Sequence, residues 1–271
     1  MSAATTHDLT AEEAEQFAGA LLNAFEAGEP LEPITAARPG LAVEGAYRIQ
    51  RALIAGHARA GRTVVGRKIG LTSLAMQRQL GIDSPDFGAL LDSHVFPSGA
   101  TLSRSRLRMV APKLEAEVAF VLDRELRGGG VGAEDVLRCT RAVLPVFELI
   151  DSRIRDWRIT LADTVADNAS CLGAVLGTEV ALADAGDLRE LAVRFGRDGE
   201  VLQEGTGAAV MGDPAVAVAW LANELARFGE ALPAGQPVLA GSFTAAIEAT
   251  PGRYEASFGE RLGSITVDIV E

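Results

Sequence analysis

Ala111-Pro112-Lys113-Leu114-Glu115-Ala116-Glu117-Val118-Ala119-Phe120-Val121-Leu122 is the stretch around which the chain is read. It has the form of a strand, in which positions i and i+2 share a face. Glu115 and Glu117 therefore point one way, and Leu114, Ala116 and Val118 the other. Beyond Glu117 the strand is apolar throughout, which predicts that both of its faces are covered there. Two like charges in such a place repel each other and lose their hydration, and a divalent cation would remove both penalties. Ala142-Val143-Leu144-Pro145-Val146-Phe147-Glu148-Leu149-Ile150-Asp151 repeats the form: an apolar strand that carries Glu148 and ends in Asp151. Three carboxylates on two neighbouring strands make a hard-oxygen site suited to Mg²⁺ or Mn²⁺. The competing reading places Glu115 and Glu117 on the wet face of an edge strand.

The bulk numbers bound the class. The 271 residues are 48% hydrophobic and 23% charged, an ordinary globular composition with enough chain for a large core. The net charge is −12 and the basic residues are scattered, so nucleic acid is not an expected partner. Aromatics make up only 5%, which argues against a stacking platform for bases. Cys139 and Cys171 are the only cysteines and fit no zinc or redox spacing, as expected in a reducing cytoplasm. The N-terminus lacks the charged-then-apolar form of a signal, and no apolar run reaches the roughly 18 residues of a membrane span.

The chain order predicts an α+β fold: a helical N-terminal lobe over residues 1–62 and a β-rich body over 63–271 that carries the metal site. Thr10-Ala11-Glu12-Glu13 is a capping box for a first helix, which Gly28-Glu29-Pro30 stops. A second helix runs from about Val43 to Ala60. Arg62 to Ile69 reads as a short strand, after which Thr72 or Ser73 caps a helix through Leu80. Ser84 to Gly88 reads as a turn-rich loop, the acid-bearing strand as part of Leu107–Leu122, and Ala245–Ala249 as a late strand. Asp213 and Pro214 open a strong helix that ends before Gly229.

Other chemistry-bearing residues are few. His7, His57 and His94 are the only histidines, and none stands in a Ser-His-Asp order. Gly205-Thr206-Gly207-Ala208-Ala209-Val210-Met211-Gly212 is not a dinucleotide fingerprint and reads as a tight loop. Lys68 lies near the end of an apolar strand, where a low-dielectric pocket can lower a lysine pKa and suit it to proton transfer; the alternative is a snorkelling surface lysine. Asp86, Asp151 and the Asp167-Asn168-Ala169-Ser170 run read equally as site groups or as loop formers.

Several segments together carry a resemblance. They are Gly66-Arg67-Lys68-Ile69-Gly70-Leu71-Thr72-Ser73, Ser84-Pro85-Asp86-Phe87-Gly88, Pro112-Lys113-Leu114-Glu115-Ala116-Glu117, Glu148-Leu149-Ile150-Asp151-Ser152-Arg153-Ile154, Asp163 to Ser170, Gly205 to Val210, and Ala240-Gly241-Ser242. In this order, from about Val43 to the C-terminus, the chain resembles the 2-hydroxypenta-2,4-dienoate hydratases (2-oxopent-4-enoate hydratases) of the fumarylacetoacetase-like superfamily. It is similar also to their sister group, the 4-oxalocrotonate decarboxylases. The resemblance implies a helical part packed on a mixed β-roll body and a homo-oligomer. It implies Glu115, Glu117 and Glu148 as ligands of Mg²⁺ or Mn²⁺, Lys68 and Asp86 as the acid–base pair, and Thr72, Ser73, Ser170 and Ser242 as substrate-binding groups.

The implied activity is a lyase reaction in meta-cleavage degradation of aromatic or steroid compounds: water adds to a 2-hydroxydienoate and gives a 4-hydroxy-2-oxo acid. Asp151 to Trp157 and Asp163 to Cys171 look closer to the hydratases, whereas Thr244-Ala245-Ala246 is shared with the decarboxylases. Decarboxylation of 4-oxalocrotonate is the alternative activity. A non-catalytic subunit of a hydratase–decarboxylase complex is the alternative role, and an aldolase or decarboxylase of the same pathway is the expected partner. C–C bond hydrolysis is disfavoured because no histidine is suitably placed.

Overall fold

A computed structural model describes residues 9–73, 77, 82 and 84–271. Two helices open it, Ala11–Ala27 and Val43–Arg59. Thr10 and Glu13 exchange the two hydrogen bonds of the capping box, at 3.1 and 2.8 Å, which satisfies two otherwise unpaired N–H groups. Gly28, left-handed at φ 70°, ends the first helix. The helix expected from Thr72 or Ser73 through Leu80 falls almost wholly outside the described residues, as does His7.

The body is built from β1 (Val64–Gly70), β2 (Asp86–Leu91), β3 (Val95–Pro97), β4 (Ala100–Ser103), β5 (Lys113–Leu122), β6 (Thr140–Ile150) and β7 (Cys171–Leu176). It continues with β8 (Val180–Ala181), β9 (Ala192–Arg197), β10 (Glu200–Thr206), β11 (Pro237–Ser242), β12 (Ile247–Glu248), β13 (Gly252–Ser257) and β14 (Ser264–Val270). One mixed sheet has the order β2-β1-β11-β5-β6-β7-β3, with β12 beside β5 and β8 beside β6; the other runs β10-β9-β13-β14-β4. The α+β class, helices first and a mixed β body after, is what the chain adopts.

Val118 to Leu122 are all buried, as their unbroken apolar run requires. One face of this part of the sheet joins a core that includes Leu21, Ile49, Phe120, Phe147, Phe195 and Tyr254 and so reaches from the helices into both sheets. The other face packs Leu90, Val121, Leu144, Val146 and Leu239 together. Burying each such side chain contributes about 1.5–3 kcal/mol, so the centre of the larger sheet is the most strongly held part of the molecule. The Leu161–Ala166 helix is fastened to the early chain by Asp163. This carboxylate accepts from Thr35 N–H and Oγ1 (2.9 and 2.7 Å) and from Thr160 N–H and Oγ1 (2.9 and 2.8 Å).

Local boundaries differ from the expectation where pairing overrides pattern. Asp86 is not in a loop: it is the first residue of β2, paired with Gly70 of β1. The acid-bearing strand starts at Lys113, because Asp151 accepts from Val110 and Ala111 N–H (2.8 and 2.7 Å) and turns the chain there. Only Ile247–Glu248 of the late segment pairs, and Gly252–Ser257, hidden by charged residues at alternate positions, forms β13. The glycines at 205 and 207 permit close backbone approach: a Cβ would lie 2.0 Å from Phe243 O and 1.9 Å from Leu188 O, respectively.

No helix among the described residues is long and apolar enough to cross a membrane. His57 and His94 are buried on either side of Phe25, with ring centroids at 4.8 and 5.1 Å. Burial, reinforced by Arg62, pulls both imidazoles down to about 4. Because the unfolded chain binds these protons near pH 6.5, stability falls as pH drops from there through 4. Ring titration by NMR should show both histidines neutral until about pH 4; a midpoint near the free value would contradict their burial.

Candidate metal centre

All the charged groups of interest lie at one edge of the larger sheet. The C-terminal end of β1 brings Lys68 and the start of β2 brings Asp86. The start of β5 carries Glu115 and Glu117, and the end of β6 carries Glu148. Glu115 and Glu148 are directly opposite each other in the β5–β6 ladder, and Glu117 follows on the same face opposite Val146. One oxygen from each of Glu115, Glu117 and Glu148 lies within 4.8 Å of the others, a spacing that a single divalent cation could bridge.

These carboxylates are poorly compensated by the protein itself. Glu117 and Glu148 are 0% exposed. Glu117 Oε2 accepts from Gly241 N–H at 2.9 Å, whereas Oε1 has no partner. Lys68 Nζ stands 3.2 Å from Glu148 Oε1 as an ion pair, yet neither oxygen of Glu148 accepts a hydrogen bond. Burial, with the neighbouring carboxylates adding to it, pushes Glu117 well up, and burial raises Glu115 and takes Glu148 to about 8 against the pull of Lys68. Orphaned carboxylate oxygens facing one point are the signature of a missing positive charge.

Lys68 is 3% exposed and donates to Ala169 O at 3.1 Å. The expectation that its pKa is lowered is reversed here. Burial does pull it down, but Glu148 and then Asp86 hold the proton on more strongly, so the net shift is upward. Neutralising the carboxylates would leave burial unopposed and make that proton easier to give up. Asp86 is raised by burial, with Lys68 and hydrogen bonds from Gly70 and Thr164 opposing. Its Oδ1 has no partner. A Cβ at residue 70 would fall 2.2 Å from Asp86 Oδ1 and 2.8 Å from Lys68 Nζ, so glycine leaves the space that the two groups share.

The hydroxyl candidates are less uniform. Ser170 is buried beside Ala169, and its Oγ lies 3.1 Å from Thr164 Oγ1. Thr72 is buried and packs against Gly241, whose N–H serves Glu117. Ser242 pairs with Glu117 in the ladder, but its hydroxyl donates to Thr244 O at 2.8 Å. Among the described residues, nothing joins the half-buried Ser73 hydroxyl to the carboxylates. Thr164 and the Ala169 carbonyl escaped the sequence reading, since a carbonyl has no residue signature and Thr164 sits within a helix. Asp151 and Asp167 shape loops, through Val110–Ala111 and Arg153 respectively.

The model of the fumarylacetoacetate (FAA) hydrolase C-terminal family matches residues 64–262. The chain belongs to this family. The FAA hydrolase match opens at the first residue of β1, so every charged group of the centre lies inside it. A 2-hydroxyhexa-2,4-dienoate hydratase from Comamonas testosteroni is 39% identical over 93% of this chain and 95% of its own length. A 2-keto-4-pentenoate hydratase from Paraburkholderia xenovorans is 41% identical over 96% of each. Among solved structures, 4-oxalocrotonate decarboxylase from Pseudomonas putida G7, complexed with magnesium and adipate, has a TM-score of 0.93 at 34% identity and covers 97% of this chain and 99% of that one. The resemblance carried by the sequence motifs is thereby borne out.

The raised carboxylates fix a pH dependence. A carboxyl group must lose its proton before it can ligate, so Mn²⁺ affinity should fall as pH drops through about 8, the value for Glu148, with protons released on binding. Calorimetry in buffers of different ionisation enthalpy measures both effects. Glu117→Gln should leave the metal-free fold at least as stable, because burial no longer disfavours an ionisable carboxylate there, and should abolish the thermal shift produced by the ion.

Proposed function

We propose that the chain is a divalent-metal-dependent hydratase that adds water to 2-hydroxypenta-2,4-dienoate or a close homologue. The product is a 4-hydroxy-2-oxo acid, formed in meta-cleavage degradation of aromatic or steroid compounds. The observation that carries this reading is the Glu115–Glu117–Glu148 cluster facing Lys68, with Glu117 and Glu148 fully buried, in a chain about 40% identical to proteins named as hydratases.

The donor set fits a hard divalent ion: three carboxylates, with Glu117 Oε1 and both Glu148 oxygens otherwise without hydrogen bonds. Glu115, Glu117 and Glu148 would hold Mg²⁺ or Mn²⁺, as the decarboxylase relative holds magnesium. The ion would supply Lewis-acid stabilisation of negative charge on the substrate's 2-oxygen.

The chain's own residues handle protons. The dienol loses its 2-hydroxyl proton and gains one at C5, becoming the 2-oxo-3-enoate; water then delivers hydroxyl to C4 and a proton to C3. Lys68, buried, is the donor, and Asp86, whose pKa burial raises, returns the proton. Thr72, Ser73, Ser170 and Ser242 are the groups that bind the substrate. Burial of the centre limits the water present to what reacts.

The proposal extends to organisation. Residues 1–62 form the helical lobe and 63–271 the catalytic body, a division supported by the family match that begins at 64. The working form is a cytoplasmic homo-oligomer whose partner is an aldolase or decarboxylase of the same pathway. Decarboxylation of 4-oxalocrotonate is the second reading, favoured by the likeness to the decarboxylase structure.

Two assays separate these readings. Metal-dependent loss of dienol absorbance, yielding 4-hydroxy-2-oxopentanoate from 2-hydroxypenta-2,4-dienoate with no CO₂ from 4-oxalocrotonate, is the expected result; CO₂ release without hydration would transfer the assignment. Lys68→Ala should lower kcat by about 10²–10⁴-fold while Mn²⁺ binding persists. An unchanged kcat would remove Lys68 from the chemistry.

A further inference from the structure

Asn168, Ala169 and Ser170 are consecutive non-glycine residues with φ of 54°, 52° and 52°. All three are buried. Left-handed backbone is uncommon for such residues, and a run of three persists only where its surroundings enforce it. The enforcement is visible. The Asn168 side chain clasps β2 at both ends of one peptide position: Oδ1 accepts from Ala89 N–H at 2.8 Å and Nδ2 donates to Ala89 O at 2.9 Å. Ser170 N–H donates back to Asp167 O at 2.9 Å, and its carbonyl accepts from Asp151 N–H at 2.8 Å.

The turn brings the Ala169 carbonyl to Lys68, whose Nζ donates to it at 3.1 Å. The other close contact of that ammonium is Glu148 at 3.2 Å, a carboxylate that a bound cation would claim. Ala169 O is neutral and belongs to the turn, not to the carboxylate cluster.

We propose that Asn168 is a positioning residue, whose clasp on Ala89 holds the left-handed turn so that the Ala169 carbonyl aims the Lys68 ammonium. What Lys68 then does rests on the hydratase reading; where it is held does not. Lys68 and Lys113 are the only lysines in the chain, so ¹⁵N-lysine labelling yields two ammonium signals at most. Lys113, stacked over Trp157 at 4.4 Å, serves as the internal reference.

The experiment compares the diamagnetic Mg²⁺-loaded protein with Asn168→Gly, in which glycine accepts the backbone angle but has no clasp, and measures Mn²⁺ affinity separately. The expected result is a Lys68 ammonium signal that exchanges with solvent at least about tenfold faster in the variant, and a kcat about 100-fold lower, as for a misplaced catalytic group. KM and the Mn²⁺ dissociation constant should stay within about threefold of wild type, a split that general loosening of the fold would not produce. Unchanged ammonium exchange overturns the proposal, and so does a parallel loss of kcat and Mn²⁺ affinity. If Asn168→Gly does not fold, Asn168→Asp, which keeps the acceptor arm and loses the donor arm, is judged by the same readouts. Failure of the wild type to hydrate the dienoate would sink the hydratase reading alone, because ammonium exchange still decides the positioning role.

Discussion

Two carboxylates are held out of water beside a half-buried third, and most of what is unusual in this structure answers that constraint. Isolated, Glu117 and Glu148 would each pay a desolvation cost and repel each other. Their position is imposed by the longest ladder in the molecule, the antiparallel pairing of β5 and β6 from Lys113↔Ile150 to Leu122↔Thr140. Apolar packing on both faces of the ladder's inner half anchors it. The fold thus contributes stability at one end of two strands and tolerates an unfavourable charge cluster at the other. Lys68 and Gly241 N–H offset part of the repulsion, and the remaining orphaned oxygens mark what the protein alone does not satisfy.

Much of this was legible in the chain. The alternation in Leu114-Glu115-Ala116-Glu117-Val118 placed both acids on one face, and the apolar run after them announced a covered strand. That Glu115 faces Glu148 is a matter of register, which a single sequence does not fix; the matching form of the two strands only suggested it. Lys68 shows the limit most clearly. Its strand and its burial could be anticipated, but the sign of its pKa shift depends on how near Glu148 and Asp86 come, and those distances arise from strands far apart in the chain. Asp86 was misplaced into a loop because Ser-Pro-Asp-Phe-Gly is rich in turn formers, and pairing with β1 overrode that preference. The Ala169 carbonyl left no trace at all, since backbone groups are contributed by conformation and not by residue type.

Asp163 illustrates a different kind of dependence. Asp163 is the third residue of a capping box whose N-cap is Thr160, and it accepts from the Thr160 N–H and hydroxyl. Yet the same carboxylate gathers the backbone and hydroxyl of Thr35, so an early helical segment and the helix that leads into Asn168 share one anchor. Helices far from the reaction thereby take part in placing the turn beside Lys68.

The two halves of the centre are built on different hardware. The carboxylates proposed to gather a cation come from β5 and β6, a pair joined along its whole length. The groups proposed to move protons come from β1 and β2, beside a left-handed turn, and are linked to the first half through β11 and one ion pair. Such a layout is modular in an evolutionary sense. Substitutions on the proton side can redirect an enolate toward a different fate without disturbing the part that stabilises its charge. Hydration and decarboxylation, so different on paper, then become neighbouring solutions on one scaffold.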